Sequence, residues 1–319
     1  MDARITKQRL GNLISYDWLK MLVTIVCFVL VLVLLFTMTA TRPRNTQEYG
    51  VYAYTDLSTT SSFSNLGETL LERDVFSYDI LAVSSEGFSG NNYASATYSA
   101  RRAAGQGTVM LLTDNRVYQT DENGDQVLDE NGEPVVETES QLYSFTGGVA
   151  FNAPGAITTT YDTEYYLQLC EEYLVQFFGG DWAESDDFDG EKTPEESFAR
   201  NEGDKRYKTD EQRAQGLEDE RARLLKLRED YLAVREAFEN ETFTHTAYED
   251  AENEGETVHL GINIGGLNRL TDLVYYTDSA GTRTTRNVNL VILYNDYLYG
   301  NDLNFETVSF LRYLLDTYA

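Results

Sequence analysis

The chain has 319 residues, 53 of them acidic against 25 basic, for a net charge of −28 at pH 7. That balance speaks against nucleic acid, and against an anionic lipid surface, because both would repel it. The only cysteines are Cys27 and Cys170 and the only histidines are His245 and His259, which limits imidazole chemistry and leaves the region after residue 44 without a disulfide.

Met21 to Thr41 is a run of 21 uncharged residues, mostly Leu, Val, Ile, Phe and Met. At about 1.5 Å per residue a helix of this length spans the roughly 30 Å hydrocarbon core of a bilayer. Arg4, Lys7, Arg9 and Lys20 precede it, and only Arg42 and Arg44 follow closely. The positive-inside rule then puts the N-terminus in the cytoplasm and the rest outside, with Tyr16 and Trp18 at the inner interface. The rival is a cleaved signal peptide. The run is longer than the usual apolar region of such peptides, and no clean small-x-small site follows it. The sequence thus predicts a single-pass cell-membrane protein: cytoplasmic residues 1–20, a transmembrane helix at 21–41, a linker at 42–48 and an extracellular domain at 49–319. Residues 1–44 hold six basic and two acidic residues, so 45–319 keeps 19 basic and 51 acidic, a net charge of −32. Solubility alone accounts for such an excess.

Tyr49 to Tyr54 alternates as a strand, and Ser61 to Arg73 carries helical spacing through Phe63, Leu66, Leu70 and Leu71. Ser77 to Ser84 reads as a second strand ended by Glu86-Gly87. Asn91 to Ala104 reads as a helix stopped by Gly105 and Gly107, and Thr108 to Thr113 as a strand buried on both faces. The order β-α-β-α-β predicts an α/β domain with a mainly parallel sheet. Within residues 115–140, Asp121-Glu-Asn-Gly and Asp129-Glu-Asn-Gly mark two successive hairpins. A calcium loop would need Gly at its sixth place and Glu at its twelfth. Here Gly falls fourth and Gly132 twelfth. Tyr161 to Phe178 is helical and stopped by Gly179-Gly180, and 181–196 is an acidic loop. Thr209 to Asn240 is a long charged helix whose Leu217, Leu224, Tyr231 and Phe238 recur every seven residues, with Leu227 and Val234 between. A stripe of little more than three heptads suits packing on its own domain better than a docking arm. Val258–Ile264, Leu273–Thr277 and Val288–Tyr294 are strands, and 304–318 is a closing helix.

No catalytic motif is present. Gly87-Phe-Ser-Gly90 lacks the spacing of a nucleophile elbow, and Gly261-x-x-x-Gly265-Gly266 lacks the Lys-Ser/Thr of a phosphate loop. The two histidines stand 14 residues apart with no His-Glu-x-x-His, and each reads as structural. The sequence therefore predicts no enzyme, no metal and no cofactor.

The run from Tyr49 to Asp114, closing on Gly105-Gln-Gly107-Thr-Val-Met-Leu-Leu-Thr-Asp114, resembles the first lobe of bacterial extracellular solute-binding proteins of the type II periplasmic-binding fold. Residues 288–318 resemble the completion of such a lobe. The resemblance covers about a third of the chain. It implies a non-catalytic binding module, tethered here by a helix and with Trp182 as its one tryptophan outside the membrane-proximal region. In such sheets a ligand lies beyond the carboxyl ends of the parallel strands. That points to Thr55, Asp56, Ser84, Ser85, Asp114, Asn115 and Asn295, all short polar groups. The expected partners are the bilayer through 21–41, a small ligand or peptide, and a membrane protein. The alternative is a structural or interaction ectodomain, a subunit of an envelope or transporter complex.

Overall fold

A computed structural model describes residues 7–39, 43–90, 92–122, 125–130, 132–156, 158–294 and 304–319, and in the first of these stretches the side chains of 11 and 18–36. The chain divides into two units, Met1–Pro43 and Arg44–Ala319. The first holds helix α1 (Lys7–Thr39). Its segment Trp18–Phe36 has a mean hydropathy of 3.0 and no buried side chain. It is long and apolar enough to cross a membrane, and it is equally compatible with a signal sequence.

The second unit is a mixed α/β domain. In chain order it begins β1 (Glu48–Ala53), β2 (Ser58–Thr59), α2 (Ser61–Ser64), α3 (Leu66–Glu72), β3 (Ala82–Gly87), α4 (Ala94–Ala103) and β4 (Val109–Thr113). It continues β5 (Val117–Tyr118), β6 (Val136–Thr138), α5 (Gln141–Thr146), α6 (Thr163–Phe178), α7 (Pro194–Phe198) and α8 (Asp210–Glu239). It ends β7 (Thr244–Glu249), β8 (Thr257–Asn263), β9 (Val274–Thr277), β10 (Arg283–Thr284), β11 (Val288–Ile292) and α9 (Glu306–Tyr318). The main sheet runs β3-β1-β4-β11-β8-β7. The β3-β1-β4 part is parallel, as the β-α-β-α-β order predicts. Beyond β4 every pairing is antiparallel, so the sheet as a whole is mixed. The hairpin of β7 and β8 can join only antiparallel, and β11 carries that polarity to β4.

Alternation along the strands sorts side chains into two cores. Tyr49, Val51, Val109, Leu111, Val288 and Leu290 face α3, α6, α8 and α9. Tyr52, Met110, Leu112 and Val291 face α4 and α5, with Phe88 and Leu142. Val258 and Leu260 of β8 lie in the second core but Ile262 in the first. A bulge between Thr246 and Ala247, which face Gly261 and His259, reverses the alternation there.

Two sequence expectations change. The single helix at 61–73 is broken into α2 and α3 at Asn65. Gly67 must press against β3, where a Cβ would stand 2.5 Å from the Val83 carbonyl oxygen. The second strand begins later than expected and includes Glu86 and Gly87 rather than ending before them. Residues 77–80 instead form a turn closed by Ile80 N–H to the Ser77 carbonyl (3.0 Å). Buried Asp79 anchors it through Arg200 (2.8 Å) and Arg206 (2.6 Å). The two expected hairpins pair Thr120 with Gln126 and Leu128 with Pro134, and further bonds tie them together. Val127 N–H donates to Gln119 (2.9 Å), Val135 N–H to Val127 (2.8 Å) and Gln119 N–H to Val135 (2.9 Å). In each turn the leading aspartate accepts from its own backbone, Asp121 from Asp125 N–H (3.0 Å) and Asp129 from Glu133 N–H (2.9 Å). That is turn chemistry. Asn123, Gly124 and Asn131 lie outside the described residues.

Helix α8 starts in a capping box made by Thr209 and Gln212 and buries Leu224, Leu227, Tyr231 and Val234 against its own domain. It also buries charge. Glu220 contacts Arg223 (2.7 Å) and Ser197 (2.6 Å), and Arg200 joins them to Asp79. Burial alone would raise the Glu220 carboxyl, but Arg223 and Arg200 outweigh it and hold it at about 2.

Candidate functional site

The carboxyl ends of β1 and β4 bring together three of the residues singled out from the sequence. Asp56 Oδ2 accepts the Thr113 backbone N–H at 2.7 Å and ties the loop after β1 to the end of β4. Burial raises its carboxyl above the usual range. Asp114 accepts a hydrogen bond from the Tyr248 hydroxyl, which lies 3.1 Å from Ser140 Oγ. Asn115 Oδ1 accepts from Asn287 Nδ2 at 2.7 Å. The Arg116 guanidinium covers the Tyr248 ring at 4.2 Å. Thr55 is exposed beside this cluster. Ser84 and Ser85 are elsewhere. They stand inside β3, opposite Gly50 and Val51, and not past its end. Their misplacement follows directly from the later start of that strand. Asn295 lies outside the described residues. At the end of β3, Gly87 lies against Thr59. A Cβ on Gly87 would stand 2.8 Å from its Cγ2. Asp56 Oδ2, Asp114 and Asn115 are thus held by Thr113, Tyr248 and Asn287, while Asp56 Oδ1 is buried without a hydrogen-bond partner.

An open groove lies elsewhere, on the α6 and α8 side of the β7-β8 hairpin. It encloses about 500 Å³, and its lining includes Asp162, Glu164, Tyr165, Glu171, Tyr231 and both histidines. The hairpin and its bulge set His245 and His259 on one face, with ring centroids 5.3 Å apart. Asp162 caps α6 by accepting the Glu164 (2.9 Å) and Tyr165 (3.0 Å) N–H groups at Oδ1. Its Oδ2 accepts the His259 backbone N–H (2.8 Å), joining helix to hairpin. His259 Nδ1 lies 3.4 Å from Asp162 and 3.2 Å from Glu164. His245 Nδ1 lies 2.8 Å from Thr163 Oγ1, and its ring stacks on Phe238 at 4.4 Å. Burial, and then the neighbouring His259, depress His245 to about 4 against the opposing pull of Asp162. Tyr231 donates to Glu171 at 3.0 Å, and burial raises its phenol.

The groove gathers three carboxylates, two phenols and two imidazoles. Thr163, the hydroxyl nearest an imidazole, is fully buried and already engaged. Among the described residues no group of three or more His, Cys, Asp and Glu is arranged to hold a metal ion. Sequence reasoning took the histidines singly. The available signal was their 14-residue separation around the polar stretch 250–256, which a hairpin folds into proximity.

No protein-family model, curated protein or solved structure matches the chain.

Proposed function

We propose that the chain is a membrane-anchored, non-catalytic binding protein that holds its α/β domain outside the cell. The observation that supports this most strongly is the contrast between the two units. Trp18–Phe36 carries no charge from Met21 onward and buries nothing, whereas Arg44–Ala319 closes two cores of its own. The flanking charges favour a cytoplasmic N-terminus. The kinship of the β3-β1-β4 region with a solute-binding lobe is part of this proposal and rests on element order alone. Binding at the β1 and β4 ends is the weaker form of it, because those groups are engaged internally. The groove at the β7-β8 hairpin is the stronger.

The test is labelling of intact cells with a membrane-impermeant maleimide. A cysteine placed at exposed Ala280, in a Cys27→Ala background, should react without lysis, and the chain should stay in the membrane fraction after alkaline washing. Reaction only after lysis, or release as a shortened chain, overturns the topology. The alternative, an interaction ectodomain, is favoured by the internal hydrogen bonds of Asp114 and Asn115 at the strand ends. It would have to use a surface other than the α8 stripe, which the domain itself covers.

A further inference from the structure

We propose that the groove between α6, α8 and the β7-β8 hairpin binds a small organic cation of the amine class. This deepens the binding reading above and rests on it. Four observations converge. First, the cavity of about 500 Å³ lies within the size range of small-ligand sites. Second, its carboxylates, Asp162, Glu164 and Glu171, come from one helix and its cap, and no lysine or arginine lines it. Arg235, the nearby base on α8, is turned instead onto the Trp182 ring (5.6 Å) and Glu239 (3.6 Å). Third, Tyr165 and Tyr231 supply aromatic walls of the kind that attract ammonium groups. Fourth, the histidine deepest in the packing is held neutral by burial, so it does not cancel the carboxylates at neutral pH.

The side chains have separable roles. Asp162 is spent on building the site, since its oxygens cap α6 and hold β8. Glu164 is 68 % exposed and lines the groove, 3.2 Å from His259 Nδ1. Glu171 is fixed by the Tyr231 hydroxyl (3.0 Å) and keeps acceptor capacity for a second donor. Two carboxylates of this kind fit a ligand with ammonium groups at both ends better than a simple metal ion, for which no suitable cluster exists among the described residues.

The experiment is calorimetric titration of the full chain in detergent at pH 7.5, with butane-1,4-diamine and, as its neutral counterpart, butane-1,4-diol. The diamine should bind saturably at one site and the diol should give no heat. Glu164→Gln with Glu171→Gln should weaken the diamine at least tenfold. The charge-matched pair Glu122→Gln with Glu130→Gln, on hairpin residues that do not line the groove, should change it less than twofold. Thr257→Lys places a fixed cation at an exposed lining position and should weaken binding at least tenfold without touching the carboxylates. Absence of saturable diamine binding overturns the proposal. So does equal binding of the diol, an equal effect of the control pair, or displacement of the diamine by stoichiometric calcium. Labelling from the outside with a failed titration would remove only the ligand class. A good titration with labelling only after lysis would remove only the location.

Discussion

Acidification from pH 7 to 4.5 should destabilise the domain through one identifiable imidazole. His245 is packed between Phe238 (4.4 Å), Thr163 (2.8 Å to Nδ1) and His259 (5.3 Å). Burial and then His259 lower it from 6.5 to about 4, with Asp162 opposing. The folded chain therefore resists a proton that the unfolded chain accepts. The stability His245 lends is complete above about pH 6.5 and is lost as the pH falls towards 4. Each tenfold in proton affinity is worth about 1.4 kcal/mol, so the full loss is about 3 kcal/mol. Roughly 2 kcal/mol of it falls between pH 7 and 4.5 once partial solvent screening is allowed for. The assay is urea denaturation of the full chain in detergent across that range, for the wild type and for His245→Asn, whose amide can still meet Thr163 Oγ1. Carboxylates contribute equally to both curves, so the difference between them isolates the imidazole. The wild type should lose about 2 kcal/mol more than the variant. Parallel curves would refute the reasoning and show that His245 protonates freely in the folded state.

Three other substitutions probe the rest of the architecture. Glu220→Gln removes the buried carboxylate that Arg223 and Arg200 share and should cost about 3–5 kcal/mol in urea denaturation at pH 7. Because Glu220 sits at about 2 when folded, that contribution should be complete above pH 4.5 and vanish as the pH falls through about 2. Gly265→Ala drives a methyl to 2.3 Å from both the Thr285 and the Arg286 carbonyl oxygens, and should lower stability by at least about 2 kcal/mol on the same assay. Leu30→Arg puts a charge in the apolar run of α1 and should cost about 2.5–3.5 kcal/mol of insertion. The membrane-bound fraction should fall on alkaline fractionation, and an unchanged fraction would mean that 21–41 does not anchor the chain.

What the sequence disclosed and what it hid separate along one physical line. Segments whose pattern is set by their own burial were legible. β4 and β11 are fully buried runs, α6, α8 and α9 show helical spacing, and α6 and α8 open on the side-chain caps Asp162 and Thr209. Segments set by distant partners were not. β3 slides towards Gly87 because Asp79 is claimed by Arg200, 121 positions away, and that slide alone carries Ser84 and Ser85 into the strand and out of the candidate site. β7 carries little sequence signal because an edge strand with the pattern Thr-His-Thr-Ala-Tyr-Glu buries only Tyr248. Without β7 the sequence gives His245 no neighbour, and so no groove. The bulge adds a further step, since a regular pairing would not carry the alternation of β8 from one core to the other within three residues. The same dependence makes the groove testable. A site built from a hairpin, a bulge and one helix cap should fail when the joint between them fails. Asp162→Ala removes the acceptor of the Glu164, Tyr165 and His259 N–H groups together. It should cost about 1–2 kcal/mol as a lost cap, and it should weaken the diamine more than the loss of one carboxylate among three would explain.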